Sequence, residues 1–531
     1  MNKLDLNLFY SLKTPRVKGE FFFVTLFFAI FFMVGLFTYQ DYGVSWDEPI
    51  QRGIGNANIN YITGHDRSLL EMKDRYYGPI FEILLIGVEK TVQPASLREV
   101  FFLRHFVIFT AFFGGTFFFY FLARNIYKKP ITALISTVAL VLSPIIFGNS
   151  FYNSKDIPLL VFFIICFTLF FLYIDTKRIS LLILLAFFSA VTVTIRIAGL
   201  LIPFLTVMSV CIEVMTSPEN FKRKIAQTIP KLSLFLILLI IFTIAAWPIL
   251  WSNPIMNLLN AVKETSHFDW DHTVLFMGTN YSASAIPSIY PIVWILISTP
   301  VAYSLLFFTG VSYLFIGNMR SGSSYFSKSR LKLFLIAIWF FFPLILVIIL
   351  KSVLYDSWRH LFFIYPAFIL LAFYGFERLN DQMNNLFART VWPSVILHLL
   401  IVITFLSTIL FMVKAHPYEH VYFNFLAGNS FREVKNNYDM DYWGLAYKKG
   451  LEYISRNDQS PVIPYVSETA PGSYNFILLE EDQKRLVPIQ DENTANYLIT
   501  NYRWRKSYPG YQEVFSVEVE GAKILSVFKL K

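Results

Sequence analysis

The sequence is poor in cysteine and in charge. Cys166 and Cys211 are its 2 cysteines, and both lie in apolar runs, where cysteine behaves as a small hydrophobic side chain. This leaves no basis for a disulfide framework or a thiolate zinc site. Charged residues make up only 15% of the 531 positions, well below the share in soluble proteins. The low charge argues against a water-soluble protein.

Long uncharged stretches fill the sequence instead. Hydrophobic residues make up 55% of the chain, and phenylalanine alone occupies 57 positions. Residues 21–40 form one stretch of about 20 residues, enough to cross ~30 Å of hydrocarbon as a helix, since backbone amides in lipid must be satisfied within the segment. We therefore predict a polytopic α-helical membrane protein with about 11 transmembrane helices. The predicted spans are 21–40, 103–123, 131–149, 157–174, 179–195, 197–216, 232–250, 290–316, 333–350, 361–376 and 391–413.

Basic residues indicate the orientation. The first span is longer than a signal-peptide core and lacks a cleavage site, so we expect it to stay as an anchor. If the N-terminus is cytoplasmic, alternate loops such as those with Arg124 and Lys177 are basic, as the positive-inside rule predicts. The net charge of +9 then needs no nucleic-acid partner. We predict a multi-pass protein of the cell (inner, cytoplasmic) membrane, with 41–102, 150–156, 251–289, 351–360 and the C-terminal part on the non-cytoplasmic side.

Two segments differ from the spans. Residues 76–92 are short and interrupted by charges, so we predict a helix that lies in the outer interface. From His416 onward the chain turns polar, which predicts a transmembrane domain at 1–414 and a small soluble domain of α/β or α+β class at 415–531. That domain is expected to hold a helix at 439–455, short strands near 461–467 and 496–502, and a hairpin at 511–530 that turns at Gly521.

Four polar stretches lie at helix ends on the predicted outer face. They contribute Asp47 and Glu48, then Lys155 and Asp156, then Arg196, and finally Asp356, Arg359 and His360. Each has an ordinary structural reading: a solvated turn, a helix N-cap, a snorkelling arginine, or an anchor for anionic lipid. Because all four stretches lie on the same predicted face, we predict instead that they form one cavity in which acidic side chains lie beside cations.

Such a cavity suits transfer from a phosphate-linked lipid. A lipid phosphate that departs needs Arg, Lys or His to neutralise its charge, and the incoming hydroxyl needs a carboxylate base. We expect the acids and the cations to act separately, because a base held against the phosphate-binding cation would be captured by it.

Four motifs in this order resemble the GT-C superfamily of polytopic glycosyltransferases. They are DYGVSWDEP (41–49), FYNSKDIP (151–158), LYDSWRHLFFIYP (354–366) and the pair HPYEHVYFNFLAG (416–428) and YDMDYWGLAYKKG (438–450). More narrowly, the chain resembles family 39, the protein O-mannosyltransferase and aminoarabinose-transferase group. It lacks the domain that eukaryotic O-mannosyltransferases insert between membrane helices, which puts a protein acceptor in doubt.

The resemblance implies an enzyme that transfers a sugar from a polyprenyl-phosphate donor on the non-cytoplasmic face, usually with inversion. It implies catalytic carboxylates at Asp47, Glu48 and Asp156, with Asp47 favoured as the base. Lys155, Arg196, Arg359 and His360 are expected at the donor phosphate. Tyr77, Tyr355, Asp356 and His416 are expected to bind substrate. The loop 267–291 resembles the segment that covers the substrate in such enzymes.

No metal centre is predicted. His267, Asp269, Asp271 and His272 match no standard ligand spacing. A divalent cation such as Mg²⁺ or Mn²⁺ at Asp47 and Asp156 is left open.

Two other functions compete. A transporter or flippase for a lipid-linked saccharide would place charges deep in two related halves, yet no internal repeat is visible. A membrane anchor for a binding module would not need so many helices.

Overall fold

The computed structural model describes residues 15–216, 220–266, 270, 272–320, 327–387, 390–480 and 485–531. In chain order its helices are α1 (Pro15–Thr38), α2 (Glu48–Ile62), α3 (Ile80–Val92), α4 (Leu97–Tyr127), α5 (Pro130–Val141), α6 (Pro144–Tyr152), α7 (Asp156–Thr176), α8 (Ile179–Val193), α9 (Leu201–Thr216), α10 (Phe221–Ala246), α11 (Pro254–Ser266), α12 (Tyr290–Ile297), α13 (Val301–Arg320), α14 (Lys328–Ile349), α15 (Tyr365–Leu386), α16 (Trp392–Ala415), α17 (Phe431–Asn437), α18 (Tyr447–Asn457) and α19 (Pro471–Tyr474). The strands are β1 (Thr273–Phe276), β2 (Thr279–Ser282), β3 (Ile463–Ser467), β4 (Leu486–Pro488), β5 (Tyr497–Thr500), β6 (Gln512–Val519) and β7 (Ala522–Lys529).

In the described part of the chain, 8 helical segments are long and apolar enough to cross a membrane. They contain α1, α4, α7, α9, α10, α14, α15 and α16, and each coincides with a predicted span. The remaining three predicted spans are helical as well, but they differ in form. Residues 131–149 are the pair α5 and α6, bent by 65°, and residues 179–195 form a shorter apolar helix.

The predicted span 290–316 is interrupted. It consists of α12 and α13, which are separated at residues 298–300. Pro300 cannot donate a backbone hydrogen bond, so carbonyl groups near the break need another partner. Asn424 supplies it, because its Nδ2 donates to the Leu296 and Thr299 carbonyls at 2.6 and 2.7 Å. The polar residue that closes this break is 124 positions away from Pro300 in the sequence, which is why the apolar run alone did not predict it.

Two helices form the centre of the bundle. The span that contains α7 and the span Arg359–Leu386, which contains α15, are each 89% buried, against 22% for those of α1 and α16. Helices α13 and α15 approach so closely that a Cβ on Gly375 would lie 2.3 Å from the Leu306 carbonyl oxygen. Small residues permit such contact between membrane helices. The polar stretches with Asp156 and Arg359 thus stand at the ends of the best-packed helices.

The segment 76–92 contains a short helix, and its place in the membrane interface stays a prediction. Helix α3 has 13 residues, too few to cross a bilayer, but Glu82 and Glu89 are buried and do not face water. Both pair with Arg104 of α4, at 2.6 and 3.0 Å, and Ser154 donates a hydrogen bond to Glu82. This network ties α3 and α4 to the loop that carries Lys155.

The C-terminal part folds as an α/β unit. Its five-stranded sheet has the order β4-β3-β5-β7-β6, with parallel pairs at β3 and antiparallel pairs at β7. The predicted hairpin at Gly521 is confirmed, and so are the strands near 461–467 and 496–502, whereas β4 was not predicted. The division between residues 414 and 415 stays a prediction; the last membrane-length helix ends at Ala415.

The predicted helix at 439–455 begins later than expected. Residues 439–446 form a loop, because the Asp441 carboxylate accepts hydrogen bonds from the backbone amides of Gly444, Leu445 and Ala446. Gly444 has φ +72°, a conformation that suits glycine. This loop, and not a helix face, presents Trp443 to the membrane domain.

Candidate active site

Asp47 and Arg359, which are far apart in the sequence, meet in the structure. Arg359 Nη1 donates to Asp47 Oδ2 at 2.8 Å. Asp47 stands just before α2 and its side chain is 28% exposed, while the Arg359 side chain is 2% exposed. A solvent-accessible carboxylate therefore lies against a buried guanidinium, which makes this pair the centre of the candidate site.

Arg359 holds two further carboxylates. Its Nη1 lies 3.5 Å from Asp156 Oδ2, and its Nη2 lies 3.5 Å from Asp356 Oδ2. The guanidinium also stands over the rings of Tyr355 and Trp443, 4.9 and 4.7 Å from their centroids, in the geometry of a cation–π contact. Its orientation is thus fixed on several sides.

Two more cations complete the cluster. Arg196 Nη2 lies 2.8 Å from Asp156 Oδ1. Lys155 makes no ion pair among the described residues; its Nζ lies 3.5 Å above the Tyr77 ring. Burial, followed by the charge of Arg196, lowers the pKa of Lys155 to about 7, although Asp47 and Asp156 oppose the shift.

The cations of the cluster also change the pKa of Asp47. Burial disfavours its ionised form, but Arg359 and Lys155 outweigh that effect and lower the pKa of Asp47 below its ordinary value. The sequence led us to expect that the acids and the phosphate-binding cations act separately, but Asp47 and Arg359 are bonded to each other. Arg359 pairs with the carboxylate and makes it a weaker base.

Several buried side-chain nitrogens of this cluster have no hydrogen-bond partner among the described residues. They are Nε of Arg359, Nε of Arg196 and Nδ1 of His360. His360 packs edge-on against Tyr355, with the ring centroids 4.7 Å apart. A buried donor without an acceptor is costly, so donors of this kind mark a place where an anion would be stabilised.

Two predicted residues lie outside the cluster. Glu48 is fully buried and bonds to His105 Nε2 at 2.8 Å and to the Ser45 amide at 2.6 Å. It therefore anchors the loop before α2. His416 lies between Asp41 and Glu419, at 2.9 and 2.6 Å, beside an apolar cavity of about 540 Å³ between α1, α5 and α16.

Three residues that belong to the site were not predicted. Arg503 comes from the C-terminal domain, and its Nη2 donates to Asp356 Oδ1 at 2.6 Å. Trp443 stands against Arg359, as described above. Trp270 comes from the predicted covering loop and stacks on Tyr355, with ring centroids 4.5 Å apart and an interplanar angle of 6°. The sequence signal for Arg503 was only its place in the basic stretch RWRK (503–506).

The rest of the covering loop connects the membrane domain to the C-terminal domain. Strand β1 bridges to Tyr438 through Phe276, and the Leu275 amide donates to Asp439 at 3.0 Å. His267, Asp269 and Asp271 lie outside the described residues. The described part of the loop therefore closes one side of the site and supplies an aromatic wall.

A divalent cation does not fit these surroundings. The oxygens of Asp47 and Asp156 face the positive charges of Arg359 and Arg196, and Lys155 stands nearby. These charges would repel a metal ion. Within the described ranges, no group of at least three His, Cys, Asp or Glu side chains is arranged to hold a metal.

Comparison with known proteins shows the fold. No family model matches the chain, and no curated protein matches it significantly. The structure of ArnT from Cupriavidus metallidurans bound to undecaprenyl phosphate is similar over 96% of this chain and 98% of that chain, with a TM-score of 0.51 at 11% identity. The apo form of the same protein matches over 97% and 98%, with a TM-score of 0.52 at 11% identity.

A weaker likeness is to the apo oligosaccharyltransferase from Archaeoglobus fulgidus. It has a TM-score of 0.49 and 12% identity, and it covers 86% of this chain and 61% of that chain. The likeness to ArnT confirms the predicted architecture, a multi-pass helical membrane fold followed by a small C-terminal domain.

Proposed function

We propose that this protein is a membrane glycosyltransferase that transfers a sugar from a polyprenyl-phosphate donor to an acceptor hydroxyl. The main support is that Asp47, Asp156, Arg196 and Arg359, from four distant stretches, meet within ion-pair distance, and that Asp156 and Arg359 stand at the ends of the two most buried spans. The ArnT fold adds support, because ArnT was solved bound to undecaprenyl phosphate.

The donor phosphate binds at the cationic side of the cluster in this proposal. Lys155, Arg196, Arg359 and His360 hold it, and the unpartnered donors Nε of both arginines and Nδ1 of His360 contact its oxygens. Charge-assisted hydrogen bonds of this kind are stronger than neutral ones. As the glycosidic bond breaks, the same groups stabilise the negative charge that develops on polyprenyl phosphate.

Asp47 acts as the general base. It takes the proton of the acceptor hydroxyl, the oxygen attacks the anomeric carbon, and the bond from that carbon to the phosphate oxygen breaks with inversion. Before this, Asp47 must leave Arg359. The donor phosphate binds the Nε of the same guanidinium, and its negative charge weakens the hold of Nη1 on Asp47, so its binding releases the carboxylate and raises its basicity. The donor therefore binds before the acceptor reacts.

The other residues position Asp47 and the cations that bind the donor phosphate. Asp156 holds Arg196 and Arg359 in place, and Asp356 links Arg359 to Arg503. Tyr77 and Tyr355, with Trp270, form aromatic walls for the sugar or the phosphate. Glu48 fixes the loop that carries Asp47. His416 lies farther away, beside the apolar cavity between α1, α5 and α16. The geometry supports no step for a metal ion.

The active site and the C-terminal domain lie on the non-cytoplasmic side in this proposal. The support is the excess of Lys and Arg in the alternate loops, which places the loops with Asp47, Asp156 and Arg359 opposite the basic face. A reporter fused after Lys531 should report a non-cytoplasmic location; a cytoplasmic signal would contradict the orientation.

The function is tested with the purified protein in detergent. We expect the protein to consume one polyprenyl-phosphate sugar from a panel of such donors and to release polyprenyl phosphate. In a second test, we expect a deletion strain to accumulate that donor and to lack the glycan made from it. Transport without cleavage of the donor would contradict the proposal and favour a flippase.

Lys155 should give the reaction a basic pH limit. Its pKa of about 7 means that the free protein loses this charge as the pH rises through that value. The ratio kcat/KM for the donor should therefore fall above pH 7, because this ratio reports the free enzyme. In Lys155→Arg the guanidinium stays charged, so the limit should move to higher pH. Lys351→Arg, at an exposed position, is the control; an unchanged profile in Lys155→Arg would remove Lys155 from donor binding.

A further inference from the structure

Helix α11 (Pro254–Ser266) has an exposed apolar face. Ile255, Met256, Leu259 and Val262 lie on this face and are 76%, 54%, 59% and 39% exposed. Residues three, four and seven positions apart are neighbours on one side of a helix, so these side chains form a continuous patch. Contiguous apolar patches are rare on surfaces that face water and mark a contact with a protein or a membrane.

The asparagines of α11 point the other way, into the protein. Asn257 Nδ2 donates to the Ile249 carbonyl at 2.6 Å. Asn260 Nδ2 donates to Tyr76 Oη at 3.1 Å. Ala261, beside them, is fully buried in the apolar cluster that contains Tyr76. A helix on a water-exposed surface shows the opposite pattern, with polar side chains outward and apolar side chains inward. The inversion therefore indicates lipid on the outward side of α11.

The helix begins close to the end of a membrane-length helix. Helix α10 ends at Ala246, and only 17% of its most apolar stretch is buried, so most of its surface faces lipid. The connection from Ala246 to Pro254 can span at most about 28 Å, and residues Pro248–Trp251 shorten it by forming a 3₁₀ turn. With 13 residues, α11 is too short to cross the bilayer itself. Its place is therefore near the membrane surface, where a helix with one apolar face lies at the boundary of head groups and acyl chains.

The inner side of α11 borders the candidate active site. Tyr76, to which the helix is hydrogen-bonded, precedes Tyr77, whose ring lies beneath Lys155. Trp270 of the covering loop comes four residues after the end of α11, so the two lie within about 14 Å of each other. Helix α11 thus contacts the surroundings of the site on one side and presents its apolar face on the other.

We propose that α11 lies in the membrane interface, with its outward face among the acyl chains of the leaflet beside the candidate active site, and that it anchors the covering loop to this leaflet. Lipid is the occupant because the patch continues from the lipid-facing surface of α10. The inverted polarity sets the orientation, with the apolar face toward the bilayer and the asparagines toward the protein. The contact with lipid does not depend on the transfer of a sugar.

Quenching by brominated lipids measures the depth of α11. The two free cysteines differ in exposure, Cys166 being buried and Cys211 exposed. In a Cys211→Ala background, a bimane label therefore reacts at a single introduced cysteine. The labelled full-length protein is held in nanodiscs of phosphatidylcholine that is brominated either near the head group or near the chain ends. A label at Leu259→Cys should be quenched about twofold more strongly by the shallow bromines than by the deep ones.

Two other positions calibrate the measurement. Ile237 lies on α10, is 56% exposed and stands about 14 Å from the end of that helix, near the bilayer centre. A label at Ile237→Cys should therefore be quenched more strongly by the deep bromines. Glu264 is exposed on α11 itself and points about 140° away from Leu259 around the helix. A label at Glu264→Cys should be quenched by aqueous iodide and little by either lipid.

Three results would overturn the contact with lipid. Iodide quenching at Leu259→Cys equal to that at Glu264→Cys, without quenching by bromine, would place the outward face in water. Stronger quenching by deep than by shallow bromines would place the helix in the hydrocarbon core. A label that neither quencher reaches would show that a second copy or another protein covers the face. Leu259→Cys should keep the thermal unfolding of its parent, because the side chain it replaces is exposed.

Hydrogen exchange in nanodiscs tests the anchoring of the covering loop. The double variant Ile255→Asp/Leu259→Asp places two charges on the outward face and should release α11 from lipid. The amides of β1 and β2 should then exchange about fivefold faster, while those of the β6–β7 hairpin keep their rates. Unchanged exchange in β1 and β2, or equal acceleration in the hairpin, would overturn the anchoring. Neither experiment needs an active enzyme, so failure of the proposed function would leave both results valid.

Discussion

Asp47→Asn should reduce sugar transfer by about a thousandfold, the usual contribution of a general base. This loss corresponds to about 4 kcal/mol of transition-state stabilisation. The amide can still accept a hydrogen bond from Arg359, so the local geometry is kept, but it cannot take the proton of the acceptor. Initial rates of polyprenyl phosphate release in detergent measure the effect.

The same variant separates catalysis from donor binding. In the proposed mechanism, the Asp47 carboxylate and the donor phosphate share Arg359, to which Asp47 is bonded at 2.8 Å. A neutral amide competes less, so the donor should bind at least as tightly to Asp47→Asn as to the parent. Asp66→Asn, at an exposed position of the same segment 41–102, is the matched control and should keep full activity. A folded Asp47→Asn variant that keeps full activity would remove Asp47 from the mechanism.

The comparison of Asp47 with Glu48 shows what the sequence could and could not predict. Adjacent residues at the start of a helix point about 100° apart, so only one of the two could face the cluster. The choice is made by His105, 57 residues away, which binds Glu48 in the interior. The position of the acidic pair could be predicted because charge is scarce in this chain, but the roles of its members required the tertiary contact.

Scarcity of charge also decides which other site residues could be predicted from the sequence. Lys155, Asp156, Arg196 and Arg359 stood out because each interrupts or borders a long apolar run. Arg503 lies in a polar domain, where arginines are common, and only its contact with Asp356 marks it. The breaks in 131–149 and 290–316 were hidden for a related reason. The apolar pattern continues through them, although Pro144 and Pro300 interrupt the backbone and Asn424 bonds to the carbonyl groups at the second break.

In the proposed function, Arg359 contributes both to the packing of the fold and to the binding of the donor. It is almost fully buried and pairs with three carboxylates, from α7, from the loop before α2 and from the loop that immediately precedes Arg359 itself. Its removal leaves those charges together without their shared partner. The consequences for stability and for donor binding can therefore be measured in one set of variants.

Arg359→Ala should lower stability and raise the KM for the donor. Breaking a buried ion pair costs about 3–5 kcal/mol, and the partial exposure of Asp47 places the expected loss near the lower end of this range. The lost contact to the phosphate should cost a further 1.5–3 kcal/mol in donor binding, roughly ten- to a hundredfold. Unfolding in mixed micelles and donor titration measure the two effects, and the KM for the acceptor should change little.

A double-mutant cycle with Asp47→Asn tests whether the stability loss comes from the pair. Removing both charges should restore about 1–3 kcal/mol of the loss in Arg359→Ala, without restoring transfer. Because Arg359 lowers the pKa of Asp47, this coupling should be present at neutral pH and lost as the pH falls through the folded-state pKa. Additive stability losses at neutral pH would show that the ion pair with Asp47 is not the source of the loss. Unchanged donor binding in Arg359→Ala would contradict the assignment of Arg359 to the donor phosphate.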